Sequence, residues 1–153
     1  MSKRRKTNSH RPDRPGWLRQ LGPVPGVVRL YLRGGGTLAV GIPETTRQAI
    51  SAHLQRVIVG IENGHIPRCP HVRPGTSEAF MASASAAYCH NCPPEVMASL
   101  VLSDGEDRTC DICRRWIDFP GGFTTVSSEV GTLTLLTATC EECVSEYETG
   151  IGR

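Results

Sequence analysis

The chain has 153 residues and a formal net charge of +2, with 5 % aromatic residues set against 16 glycines and 11 prolines. That is room for one ordinary domain or two small ones, with too little aromatic bulk for a large packed core. Seven cysteines are an odd number, which argues against a closed disulfide set. No apolar run reaches the length of a membrane span, and the basic stretch Met1–Lys6 has no apolar run behind it. No membrane partner and no secretory signal are therefore expected, and a reducing, cytoplasmic setting is the natural reading.

The small net charge hides an asymmetry. Residues 1–64 carry 11 Lys/Arg against three acids, giving +8, and residues 65–153 carry six Arg against 12 acids, giving −6. Seven thiolates holding two divalent ions would take the second part to about −9 and the chain to about −1, because ligating cysteines are deprotonated. One end is a cation and the other an anion.

Residues 1–26 are rich in Arg, Lys, Pro and Ser and read as a basic flexible arm, with too little to bury against the entropy of ordering. Lys3, Arg4, Arg5, Lys6, Arg11, Arg14 and Arg19 are its candidate contacts with nucleic-acid phosphates; a solubilising tail is the alternative. Trp17 and Leu18 are expected to anchor the arm to the body.

Residues 27–64 read as a ββα lobe. Val28, Leu30 and Leu32 alternate with Arg29, Tyr31 and Arg33, then Gly34-Gly35-Gly36 turns the chain and Leu38, Val40 and Ile42 alternate on the return. Arg29, Tyr31 and Arg33 combine charge with a ring, as a single-stranded nucleic-acid surface does, and equally suit a solvated sheet face. Thr45 with Gln48 predicts a capping box. Ile50, Leu54, Val57, Ile58 and Ile61 form one helical stripe, with His53 expected at its border and Asn63-Gly64 ending the helix.

Residues 65–103 form a first cysteine segment. Cys69-Pro70-His71 and Cys89-His90-Asn91-Cys92 lie 17 residues apart and compose a Cys₃His set suited to structural zinc. His71 is the expected fourth ligand, with His65 the alternative; His90 sits inside the knuckle, where its ring points away. The stretch 78–88 is read as a hairpin rather than an Ala-rich helix. Pro94–Leu102 has the pattern of two helical turns, and Ser103–Asp107 that of an acidic hinge.

Residues 104–153 form the second. Cys110-Asp111-Ile112-Cys113 and Cys140-Glu141-Glu142-Cys143 are separated by 26 residues, enough for a hairpin and a return. Each Cys-x-x-Cys curls the backbone so that both sulfurs aim at one point, and four thiolates suit a tetrahedral ion, zinc or iron. Arg114 and Arg115 would either contact phosphate or compensate the negative cluster. Trp116, Ile117 and Phe119 are expected to cover it. Phe123–Val126 is expected to pair with Val130–Ala138 around Ser127-Ser128-Glu129, and a helix to run from Cys140 through Glu146 and Tyr147.

Knuckle, hairpin, then a helix carrying the second ligand pair resembles the treble-clef and zinc-ribbon group, over roughly residues 65–153 in two copies. The resemblance implies a small α+β fold stapled by two structural Zn²⁺ ions and fixes no function. The chemistry points to a non-enzymatic zinc-binding recognition module, contacting nucleic acid through its basic N-terminal part and a protein partner through its acidic zinc half. A protein–protein adaptor with no nucleic-acid role is the alternative. A metalloenzyme is a third reading, opposed by closed four-ligand sites and by the lack of the His-x-Glu and Pro-Cys-x-x-Cys pattern of zinc deaminases.

Overall fold

The computed structural model describes residues 13–32, 34–92, 109–117 and 123–147. The expected Pro94–Leu102 turns, the Ser103–Asp107 hinge, Phe119, Arg33 and the arm through Arg11 lie outside the described residues. The architecture is mixed α+β: one six-stranded sheet, one long helix and two Cys/His clusters.

Strand β1 (Val27–Tyr31) pairs antiparallel with β2 (Thr37–Gly41), as the alternation predicts. Val28 and Leu30 are buried while Arg29 and Tyr31 are exposed. Gly35 and Gly36 adopt φ of 100° and 84° in the connecting turn, a region open to residues without a Cβ. The long helix α2 (Glu44–Glu62) buries Ile50, Leu54, Val57, Ile58 and Ile61, the predicted stripe. Its capping box does not form: Pro43 occupies the N-cap, and Glu44 instead receives Arg47 and Gln48. Gly60 lets Ile66 pack against the last turn, since a Cβ there would meet Ile66 Cδ1 at 2.6 Å.

The expected arm is helical from Asp13. Helix α1 (Asp13–Leu21) packs on α2, and Trp17, Leu21 and Val24 are buried, with the Trp17 ring 5.9 Å from that of Phe80. Three apolar side chains among many charges suffice because each is removed almost wholly from water, which is worth about 1.5–3 kcal/mol per large side chain. Composition averages over the stretch and misses them.

Strands β3 (Phe80–Ala82) and β4 (Ala87–Cys89) form the hairpin expected in 78–88. Strands β5 (Phe123–Val130) and β6 (Leu133–Cys140) pair along all eight residues. Their turn falls at Gly131-Thr132 and not at Ser127–Glu129. Gly131 has φ 60°, and a Cβ on it would lie 2.6 Å from the Leu21 carbonyl oxygen, so α1 docks where glycine makes the turn. A short α3 (Glu141–Val144) follows, stopping before Glu146 and Tyr147, although Tyr147 is buried.

The sheet order is β2-β1-β5-β6-β3-β4. β1 pairs with β5, and β3 runs parallel to β6, so strands from the stretches 27–64, 65–103 and 104–153 share one sheet. Alternation carries Leu30, Val126, Val130, Leu133 and Phe80 to one side, where α1 and α2 cover them. β6 is buried on both faces. Among the described residues no helix is long and apolar enough to cross a membrane.

Candidate metal centres

The eight predicted ligands converge in two groups. Cys69, His71, Cys89 and Cys92 form one, and Cys110, Cys113, Cys140 and Cys143 the other, with all ligand atoms of each group within 4.8 Å of one another. Thiolates at about 2.3 Å from a tetrahedral zinc stand about 3.8 Å apart. Cys110 and Cys143 sulfurs are 3.9 Å apart, Cys113 and Cys140 sulfurs 3.8 Å, and Cys89 and Cys92 sulfurs 3.6 Å. These are edges of a coordination tetrahedron and far outside disulfide length, and all seven cysteines are free. His71 presents Nδ1, 3.3 Å from the Cys89 sulfur and 3.9 Å from that of Cys92. His65 and His90 are exposed and belong to neither group.

The fold delivers these atoms by short-range means. In the first group, Cys69 donates its N–H to Ala87 O, which holds its turn against β4, and Cys89 ends that strand. In the second, Cys110 and Cys140 are buried, Cys140 ends β6, and Cys143 lies in the first turn of α3. Both groups repeat one pattern, in which the first and third ligands are buried and the second is exposed. Backbone N–H groups reach the sulfurs: Cys89 N to Cys69 Sγ at 3.3 Å, and Ile112 and Cys140 N to Cys110 Sγ at 3.4 Å each.

The charges make the case for a cation. Burial opposes it, but the backbone N–H groups of Cys89 and His71 bring the Cys69 thiol down to about 6, while burial and the neighbouring sulfurs push Cys92 up to about 11. Burial likewise opposes ionisation of Cys113, which Arg115 nevertheless lowers to about 7; burial and then the Cys110 charge push Cys143 up. Four sulfurs at this spacing cannot all carry charge unless a positive ion stands between them. The donor sets, Cys₃His and Cys₄, fit a soft divalent ion such as zinc.

Arg114 and Arg115, read together from the sequence, part company in space. Arg115 Nη2 reaches the Cys140 sulfur at 3.9 Å and pairs with Glu142, as compensation of the cluster requires. Arg114 turns to Asp111, 3.9 Å away, and its backbone has φ 66°. Trp116, expected as a cover, is 64 % exposed.

His53 and Asp111 were not legible as partners. β3 covers the edge of β6 only as far as Leu135, and from there three side chains complete it. His53 Nε2 donates to Leu136 O at 3.0 Å, Asp111 Oδ2 accepts from Ala138 N at 2.8 Å, and the Cys110 sulfur accepts from Cys140 N. Asp111 also donates its own N–H to Ala138 O, and Arg56 donates to Asp111 O. The clasp ties α2 to the knuckle. His53 is not a border residue but 1 % exposed, and burial above all holds its imidazole below the ordinary histidine range. Its position was available as a signal: Ile50, His53, Leu54 and Val57 stand at i, i+3, i+4 and i+7.

Among the described residues, the nucleic-acid candidates do not share one face. Arg29 and Tyr31 are exposed on the sheet side opposite Leu30, whereas the exposed Arg19 belongs to α1 on the core side. Arg14 lies in the first turn of α1, and Lys3, Arg4, Arg5, Lys6, Arg11 and Arg33 are outside the described residues. Comparison with family models, with curated proteins and with solved structures finds no match to this chain.

Proposed function

We propose that this protein is a non-catalytic recognition module folded around two structural zinc ions. The observation that carries the reading is the convergence of four ligand atoms in each group. Four protein ligands fill a tetrahedron and leave no position for substrate or activated water. Knuckle, hairpin and short helix follow one another around Cys110–Cys143 in treble-clef order, and the β3–β4 segment is its ribbon-like counterpart.

Within this reading, the basic N-terminal part contacts nucleic acid and the acidic metal-binding part docks on a protein partner, in a cytoplasmic setting. Support comes from the charge split of +8 against −6 and from Arg29 and Tyr31 standing exposed on one strand face, a cation beside a ring. A second reading, an adaptor with no nucleic-acid role, is favoured by Arg19 and Arg29 standing on opposite sides of the sheet. Because β1 pairs with β5, the test uses substitutions in the full chain rather than fragments. Binding of a labelled single-stranded oligonucleotide is measured across salt for wild type, R29Q and Y31S. Nucleic-acid recognition predicts weaker binding for both variants and a salt slope lower by about 0.7–0.9 for R29Q. Unchanged affinity would leave the adaptor.

A further inference from the structure

A groove of about 640 Å³ runs along α2, between that helix, the Ala84 turn and the knuckle at Asp111–Arg114. Arg56 and Arg114 line it, with Gln55, Asn63 and His65 supplying further polar groups. The acid in its lining is Asp111, which is 3 % exposed and already accepts from Ala138 N. Arg56 has no carboxylate partner among the described residues; one of its N–H groups goes to the Asp111 carbonyl oxygen at 3.1 Å. Burial, and then the positive charge of Arg114, hold Arg56 below the ordinary arginine range, against the opposing pull of the Asp111 carboxylate. The lining thus holds two guanidiniums against one carboxylate, which Arg114 approaches at 3.9 Å.

The backbone adds an independent observation. Arg114 is the one residue other than glycine with positive φ among the described residues. That conformation disfavours any residue with a Cβ and suits glycine. The knuckle turn imposes it, Arg114 N donating to Cys110 O and Cys110 N to Arg115 O, and so sets Arg114 in the groove lining. Arg114 is not needed by the sulfurs, because Arg115 serves them.

We propose that this groove binds a phosphate-bearing small molecule of nucleotide size, whose phosphoryl oxygens bridge Arg56 and Arg114. Guanidinium forks match phosphate geometry and pair with it more strongly than neutral donors do. The volume lies within the usual range for small-molecule pockets, and the amides of Gln55 and Asn63 offer orienting contacts. The site is separate from the Arg29/Tyr31 face and does not rest on nucleic-acid recognition there.

The test is calorimetric titration of the full chain with AMP, inorganic phosphate, adenosine and acetate at constant ionic strength. AMP binds, phosphate binds more weakly, and adenosine and acetate do not. R56Q and R114Q each weaken AMP by at least about tenfold, the weight of one charge-assisted contact. R114G weakens it equally without lowering the melting temperature, because glycine relaxes the φ 66° backbone; this variant separates binding from folding. R47Q, on α2 but outside the groove lining, leaves AMP affinity unchanged. Absence of AMP and phosphate binding at millimolar concentration, equal binding of acetate, or full affinity in R114G would overturn the proposal.

Discussion

Replacing Asp111 by alanine removes the acceptor that closes the β6 edge beside the Cys₄ group. Its carboxylate is buried and accepts from Ala138 N at 2.8 Å. A hydrogen bond to a charged acceptor is worth about 1.5–3 kcal/mol net, and the N–H left behind lies on a strand buried along its whole length. The contact with Arg114 adds little: at 3.9 Å, with the Arg114 side chain 54 % exposed, it is screened to well under about 1 kcal/mol. His53 Nε2 stands 3.6 Å from Asp111 Oδ2, but burial disfavours its charged form, so this contact adds little as an ion pair. The expected loss is therefore about 2–3 kcal/mol, nearly all from one hydrogen bond. Asp111→Asn keeps an oxygen for Ala138 and loses only the charge, so it should cost about half as much. Urea unfolding of both variants at matched zinc loading, with R114Q as the control for the exposed pair, reads these differences. A loss below about 1 kcal/mol for the alanine variant, or equal losses for alanine and R114Q, would refute the clasp as the link between knuckle and sheet.

Four further outcomes follow from the same geometry. Cys110→Ser, Cys143→Ser and His71→Ala should each lower metal content from two ions per chain to one, read by native mass spectrometry, while His90→Ala keeps both; chelation should collapse near-ultraviolet dichroism, since metal binding is folding free energy at such sites. Burial lowers the folded-state affinity of His53 for protons, so stability is present above the ordinary histidine value near 6.5 and is lost as pH falls through it. The slope contributed by this residue approaches about 1.4 kcal/mol per pH unit, and H53Q should lack it when unfolding is followed from pH 7.5 to 6 at matched zinc saturation. Trp17→Ala should cost about 3–5 kcal/mol and expose the amides of α1 to hydrogen exchange, whereas an undocked arm would be indifferent. Gly131→Ala should cost more than about 1 kcal/mol by urea midpoint, because its Cβ meets the backbone of Leu21 and its φ is positive.

Local chemistry was legible wherever a short stretch decides its own geometry. Each Cys-x-x-Cys aims its sulfurs whatever surrounds it, so the eight side chains that gather into two groups were readable from spacing, with His71 preferred to His65. The same holds for the α2 stripe and for the alternation of β1 and β2, since periods of 3.6 and 2 are local properties of the backbone. A turn could be placed too early, at Ser127–Glu129, because polar residues there suggested one; eight-residue pairing and the φ of Gly131 overrule them.

What the amino-acid order determined by itself was therefore the inventory: two four-ligand sets, a hairpin, an amphipathic helix and a split of charge. What the tertiary structure decided was how they join. Pairing of β1 with β5 and of β3 with β6 brings distant stretches into one sheet, and no local pattern encodes a partner 53 to 98 residues away. Burial of Trp17, the His53–Asp111 clasp and the separate duties of Arg114 and Arg115 depend on the same assembly. A side chain's surroundings, and with them its charge and its partners, exist only once those distant segments meet.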